Sequence, residues 1–188
     1  DYPVDHHHKE YKADSVHLHF PAIPSFSVPL GALIPRGFDG LIVAEKGISV
    51  THLVNGTTRL QPVTMLLGQA AAALAVYCVQ HKLTAAQAPV RAVQDLLLGR
   101  QAYLMPYIDV TPDDPDFLSI QRIGSTGIIQ GAGEPYKWAN RTWFYPDSLV
   151  DAARFSKDFN PYGEIRPMGQ LLTLRCAREA ILACVNKF

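Results

Sequence analysis

At 188 residues and 20.7 kDa, with 17 Lys and Arg against 17 Asp and Glu, the chain is long enough for one ordinary domain or two small ones and carries no net field. That balance excludes a binder driven by polyanion or membrane-surface charge, and the apolar run from Leu66 to Tyr77 falls short of the roughly eighteen residues of a bilayer span. Cys78, Cys176 and Cys184 are too few and too scattered for a disulfide framework or a zinc site and read as buried free thiols.

The start, DYPVDHHHKEY, is neither a signal peptide nor a Met start, so the chain reads as a piece of something longer. His6, His7 and His8, with His17 and His19, raise the question of a metal. Consecutive histidines cannot all face one ion from a strand, and no metal site is expected. Val16, Leu18 and Phe20 alternate with the histidines as a half-exposed strand. Phe26 to Leu30 and Ala32 to Pro35 read as short extended pieces around prolines, and Gly37-Phe38-Asp39-Gly40 as a turn. The β-branched run Leu41 to Ala44 then reads as a buried strand, followed by a polar, Gly-punctuated loop. Pro62 opens a helix reaching about His81; Gly68 and Ala70 to Ala73 are small enough to let something large come close to it.

Pro89 opens a shorter helix with Val90, Val93, Leu96 and Leu97 on one face, ending near Gly99. Met105-Pro106-Tyr107 and Thr111 to Pro115 read as a linker, dividing the chain into 1–105 and 106–188. Asp116 to Gly124 is an amphipathic helix with Phe117, Ile120 and Ile123 on one side. Trp138, Trp143, Phe144 and Tyr145 form an aromatic cluster, and helices over Ser148 to Asp158 and Met168 to about Val185 close the chain. The fold class implied is α/β, an α+β fragment.

The stretch LIVAEKGISVTH followed by NGTTRLQPVTMLLGQAAAALA resembles the C-terminal half of the FAD site in FAD-dependent oxidoreductases of the xanthan-lyase-like flavoprotein family, similar in outline to fumarate reductase flavoproteins. The flanking IPSFSVPLGALIPRGFDG and VRAVQDLLLGRQAYL extend the likeness over Pro21 to Leu104. In such proteins the dinucleotide-binding fold is split. This chain would hold the C-terminal strand and helix, facing the flavin. A Gly-rich nucleotide-binding part, whose GxGxxG these residues do not contain, would complete the site from the missing N-terminal region. The resemblance implies FAD as cofactor of the intact protein, with Glu45 and Lys46 beside the ribityl chain and pyrophosphate. Gln61, Pro62, Val63, Thr64 and Met65 would then present the helix N-terminus to the flavin carbonyl end, where negative charge collects on reduction. Glu45 departs from the glycine usual there. Arg59 matches an arginine that grips an anionic substrate, and His52 is a candidate acid or base; a loop-bracing role is the plain alternative for each.

The stretch DVTPDDPDFLSIQRIGSTGIIQGAG with WFYPDSLVDAARFSKDF is similar to an S-layer-homology unit, which implies a small, mainly helical module used in packing or assembly. Asp151-Ala152-Ala153-Arg154 stands where functional anchors carry Thr-Arg-Ala-Glu. An exposed Trp138 and Trp143 would instead offer a platform for sugar rings. The expected activity is transfer of a hydride between FAD and a small-molecule or sugar-derived substrate by the intact protein, the fragment alone being inactive. Nucleic acid and a membrane span are not expected, and the compartment is left unassigned. The alternative is a carbohydrate-related binding or assembly module with a vestigial flavin site.

Overall fold

The structure, a computed structural model, describes residues 25–127, 129, 131–137, 139–151 and 171–173. The histidines at 6–8, 17 and 19, the strand expected over 16–20, Trp138, Cys176 and Cys184 lie outside them. The described residues fall into two units. One comprises 28–102 with 135–140, the other 25–27, 103–134, 141–151 and 171–173, position 138 and the other undescribed positions apart.

In the first unit, residues 30–33 are not extended as expected but close into a 3-10 turn, Leu30–Leu33, behind Pro29 at φ −59° and ψ 138°. Leu41 to Ala44 is not a strand either. Val43 N–H donates to Leu33 O at 2.8 Å, Ser49 N–H to Ala32 O at 2.9 Å, and Leu41 is 48 % exposed. A β-branched run becomes a strand only where a neighbour can take up its alternate backbone groups, and a turn offers one carbonyl at a time. The polar stretch after it is helical: α1, His52–Thr58, capped by Thr51, whose Oγ1 accepts from Val54 N–H at 3.3 Å.

The long helix, α2, spans Gln61–His81 with Pro62 in its first turn, as its sequence implied. It ends where Lys82 takes the left-handed conformation and Leu83 N–H reaches back to Cys78 O at 3.0 Å. Thr84 and Gln87 form a capping box on the 3-10 turn Ala85–Gln87, and α3, Val90–Leu98, packs against α2. The buried side of α3 is Val93, Leu97 and Leu98, so Val90, 46 % exposed, lies off the face assigned to it. Cys78 is a buried free thiol. By length and composition alone α2 could cross a bilayer, but Thr64, Leu67, Leu74 and Cys78 are buried within the protein. Its other side is open: Met65 and Val79 are more than 70 % exposed, and a Cβ added at Gly68 meets nothing within 4 Å. No part of the described unit exploits that glycine.

The second unit overturns the linker reading. Met105, Tyr107 and Val110 are buried with Phe117, Ile120 and Phe144 in one cluster. Pro106 and Ile108 alternate outward, so the prolines that suggest a linker sit on the wet side of a core segment. Helix α4, Phe117–Gly124, buries Phe117, Ile120 and Ile123 as its spacing implied, and also Gln121. Strands β1, Ala132–Tyr136, and β2, Ala139–Trp143, form a hairpin. Where a helix was expected from Ser148, Leu149–Asp151 forms β3, antiparallel to β4, Leu171–Thr173, itself within the other expected helix. Pairing at long range satisfies the backbone that Pro146-Asp147-Ser148 seemed set to start into a helix. The remaining positions of those two expected helices, 152–158, 168–170 and 174–185, lie outside the described residues.

Candidate cofactor site at the start of the long helix

The turn Glu45–Gly47 packs against α2, in the first half of which Leu67 joins Leu33 and Ile48 in a buried cluster flanked by Val63, Ala70 and Ala71. Glu45 and Lys46 are exposed. Glu45 adopts φ +58°, the left-handed region that penalises every residue with a Cβ, so the backbone here has the shape that glycine supplies freely. An added Cβ at Gly47 would come within 3.2 Å of Val43 Cγ1.

Leu60 is the N-cap of α2 and offers no side-chain acceptor. Thr64 N–H donates to Leu60 O at 2.9 Å, opening the helical ladder, and Thr64 Oγ1 donates to Gln61 O at 2.9 Å. The amides of Gln61 and Val63 precede that first bond and have no carbonyl within the helix to reach; Pro62 has no N–H. Gln61, Pro62 and Met65 are exposed, Val63 is half-buried and Thr64 is buried. Two amides outside the helical ladder and the positive end of a helix dipole beside an apolar, exposed Met65 are groups that can receive negatively charged carbonyl oxygens.

His52 is the first residue of α1 and exposed; Arg59, its C-cap, is half-buried and sends its backbone N–H to Asn55 O at 3.1 Å. Both residues already have interactions within the protein. Seven residues are two helical turns, so the two lie on one side of α1, about 10 Å apart along its axis. Helix α1 exists despite Asn55, Gly56, Thr57 and Thr58, poor formers all. Thr57 and Thr58 hydroxyls donate back to Val54 O at 2.8 and 3.2 Å, and Gly56, Thr57 and Thr58 are buried. It is this helix, unseen in the sequence, that sets the spacing of His52 and Arg59; Thr51 as a cap residue was its one local signal.

A cavity of about 200 Å³ is lined by residues 34–40 with Ala85 and Ala86. Those alanines lie beyond the C-terminal end of α2, a helix length from its first turn, and ligand pockets ordinarily run to several hundred Å³. Among the described residues that cavity lies apart from the first turn of α2. Among the described residues, no three His, Cys, Asp or Glu side chains gather as a metal site.

Among curated proteins and among solved structures nothing matches the chain. A family model described as FAD dependent oxidoreductase matches residues 1–97, just over half of it, and takes in α1, α2 and nearly all of α3. The chain belongs to the FAD dependent oxidoreductase family.

Proposed function

We propose that the start of α2 and the turn Glu45–Gly47 form the flavin end of an FAD site, in an oxidoreductase whose nucleotide-binding part is supplied by a further segment of the same protein. The observation that carries this reading is the uncapped first turn of α2, with two amides outside the helical ladder, set in the family-matched region. Bound there, FAD would accept a hydride from a substrate molecule. Gln61 and Val63 would donate their N–H groups to the carbonyl end of the ring and stabilise charge that develops on it. Met65 would cover part of the ring and keep water from it. The open side of α2, with Gly68, Val76 and Val79, is then the surface on which the nucleotide-binding part packs.

On the substrate side, the Arg59 guanidinium would hold a carboxylate in its two-pronged fork, and His52 would take or give the proton at the other end of α1. The xanthan-lyase-like subfamily and the S-layer-like character of the second unit are finer forms of this proposal, resting on their sequence motifs, with the second unit as a packing or assembly module.

The test is the visible spectrum of the protein expressed with its nucleotide-binding part, under nitrogen, before and after addition of sugar acids. A bound flavin spectrum that bleaches with one of them is the expected result. Arg59→Lys should weaken that substrate about tenfold or more, and His52→Gln should slow bleaching, both with the oxidised spectrum unchanged. Absence of bound flavin, or bleaching indifferent to both substitutions, would overturn the assignment.

A further inference from the structure

The second unit carries an aromatic surface that the flavin reading leaves unused. Alternation along β2 and past its end turns Thr142 and Phe144 inward, 1 % and 2 % exposed, and leaves Trp143 half-buried and Tyr145 48 % exposed on the other side. The two rings are stacked on one another, with 7° between their planes and centroids 5.7 Å apart. Their positions are held from several directions. Trp143 Nε1–H donates to Glu134 Oε2 at 2.9 Å. Asp109 accepts Phe144 N–H on one carboxylate oxygen at 2.9 Å and Tyr145 N–H on the other at 2.7 Å. Gly131, at φ +75°, lies so close to the Trp143 carbonyl that an added Cβ would be 2.5 Å from it. Tyr145 itself sits at φ +55°, a conformation an aromatic residue keeps only where its surroundings enforce it, and the Asp109 carboxylate does so.

We propose that the stacked pair presents the exposed Tyr145 ring, backed by Trp143, as a binding face for a pyranose ring of a neutral glycan. A sugar ring has an apolar C–H face and a hydroxyl rim, which demands flat aromatic surface with hydrogen-bonding groups at its edge. Glu134, exposed, spends one carboxylate oxygen on the indole and keeps acceptor capacity for sugar hydroxyls; the Tyr145 hydroxyl both donates and accepts. Because the rings are fixed before any ligand arrives, little rotamer freedom is lost on binding. Charge decides against the other common partner of exposed aromatic rings. A nucleic acid stacks its bases on such rings only where cations take its phosphates, yet here the ring edge carries Glu134 and the supporting turn Asp109. Arg141, two residues earlier on the strand, already has interactions within the protein.

The experiment is isothermal calorimetry of the full chain with cellohexaose, xylohexaose and chitohexaose, and with an oligothymidylate as the polyanionic probe. Saturable binding of at least one hexasaccharide is expected, weakened about tenfold by Tyr145→Ala and by Trp143→Ala, and largely restored in Trp143→Tyr. Circular dichroism checks that each variant is folded; should Trp143→Ala unfold, Tyr145→Ala, altering an exposed ring, decides the matter. No saturable heat with any hexasaccharide near about 1 mM, binding that Tyr145→Ala leaves unchanged, or a preference for the oligothymidylate would each overturn the proposal. None of these residues belongs to the first unit, so the outcome is independent of the flavin assignment.

Discussion

Glu45 is a glutamate in a glycine's conformation. At φ +58° its Cβ costs on the order of 1 kcal/mol, and Glu45→Gly should return about that much, raising the melting temperature by roughly 2–4 °C for a chain of this size. Calorimetric melting of the two proteins checks it. Gln121 stands at the other extreme, fully buried in α4, accepting the N–H groups of Leu104 and Met105 at 2.7 and 2.8 Å and donating to Met105 O at 2.7 Å. Gln121→Leu has similar volume but strands three backbone groups, a loss of about 3 kcal/mol or more to be read from urea denaturation. Tyr107, buried beside Gly124, has its phenol pushed well above the ordinary tyrosine range, first by burial and then by the Asp109 carboxylate. The folded state keeps a proton that the unfolded chain releases near pH 10. Stability is therefore whole below that pH and falls above it, by up to about 1.4 kcal/mol per pH unit. Denaturation midpoints between pH 9 and 11 should show this decline in the wild type and much less of it in Tyr107→Phe. Of the three only Glu45 left a trace in the sequence, as a departure from a glycine in the family resemblance; a buried amide bracket and a raised phenol are made by distant backbone, and a linear pattern does not show them.

Helices were legible where their apolar spacing was long or their ends carried signals, as in α2 with Pro62 and α4 with Phe117, Ile120 and Ile123. Helix α1 and strand β3 were not, because tertiary partners overrode local preference in both directions: back-bonded, buried threonines made a helix of Asn-Gly-Thr-Thr, and pairing with residues 171–173 made a strand of a helix-start pattern. The candidate site shows the same division. The stretch through α2 carried the family resemblance, while the relation of His52 to Arg59 depended on α1. At this scale Leu60→Asp is the informative change. A carboxylate at the N-cap should stabilise the protein by about 1 kcal/mol, read from thermal melts, by accepting the outward amides of the first turn. Under the proposed function, the same carboxylate would compete with a bound flavin for those amides and oppose charge on its ring, making it harder to reduce in redox titration.

For the molecule as a whole, the order of residues along the chain and their grouping in space do not coincide. Residues 25–27 belong with the second unit, where Ser25 N–H donates to Thr142 Oγ1 at 2.9 Å, the two hydroxyls lie 2.8 Å apart, and Ser27 Oγ donates to Met105 Sδ at 3.4 Å. Ser25→Ala removes a partner of the buried Thr142 and should cost about 1–2 kcal/mol. The loss should appear in hydrogen exchange at β2 and spare α2, and uniform loss of protection across both would contradict the grouping. No periodicity could have disclosed it, since two serines before a proline look like any extended segment.

The bond between Ser25 and Thr142 also has a cost in time. It spans 117 residues, and closing a loop of that length takes about 4 kcal/mol of chain entropy beyond a fixed term. On the ribosome the serine emerges first and waits through the synthesis of almost everything in the first unit, roughly six to twenty seconds at ordinary elongation rates. Helices α1, α2 and α3 are all synthesised within that interval. The bond that ties residue 25 to β2 therefore cannot close until helices α1 to α4 have all been synthesised.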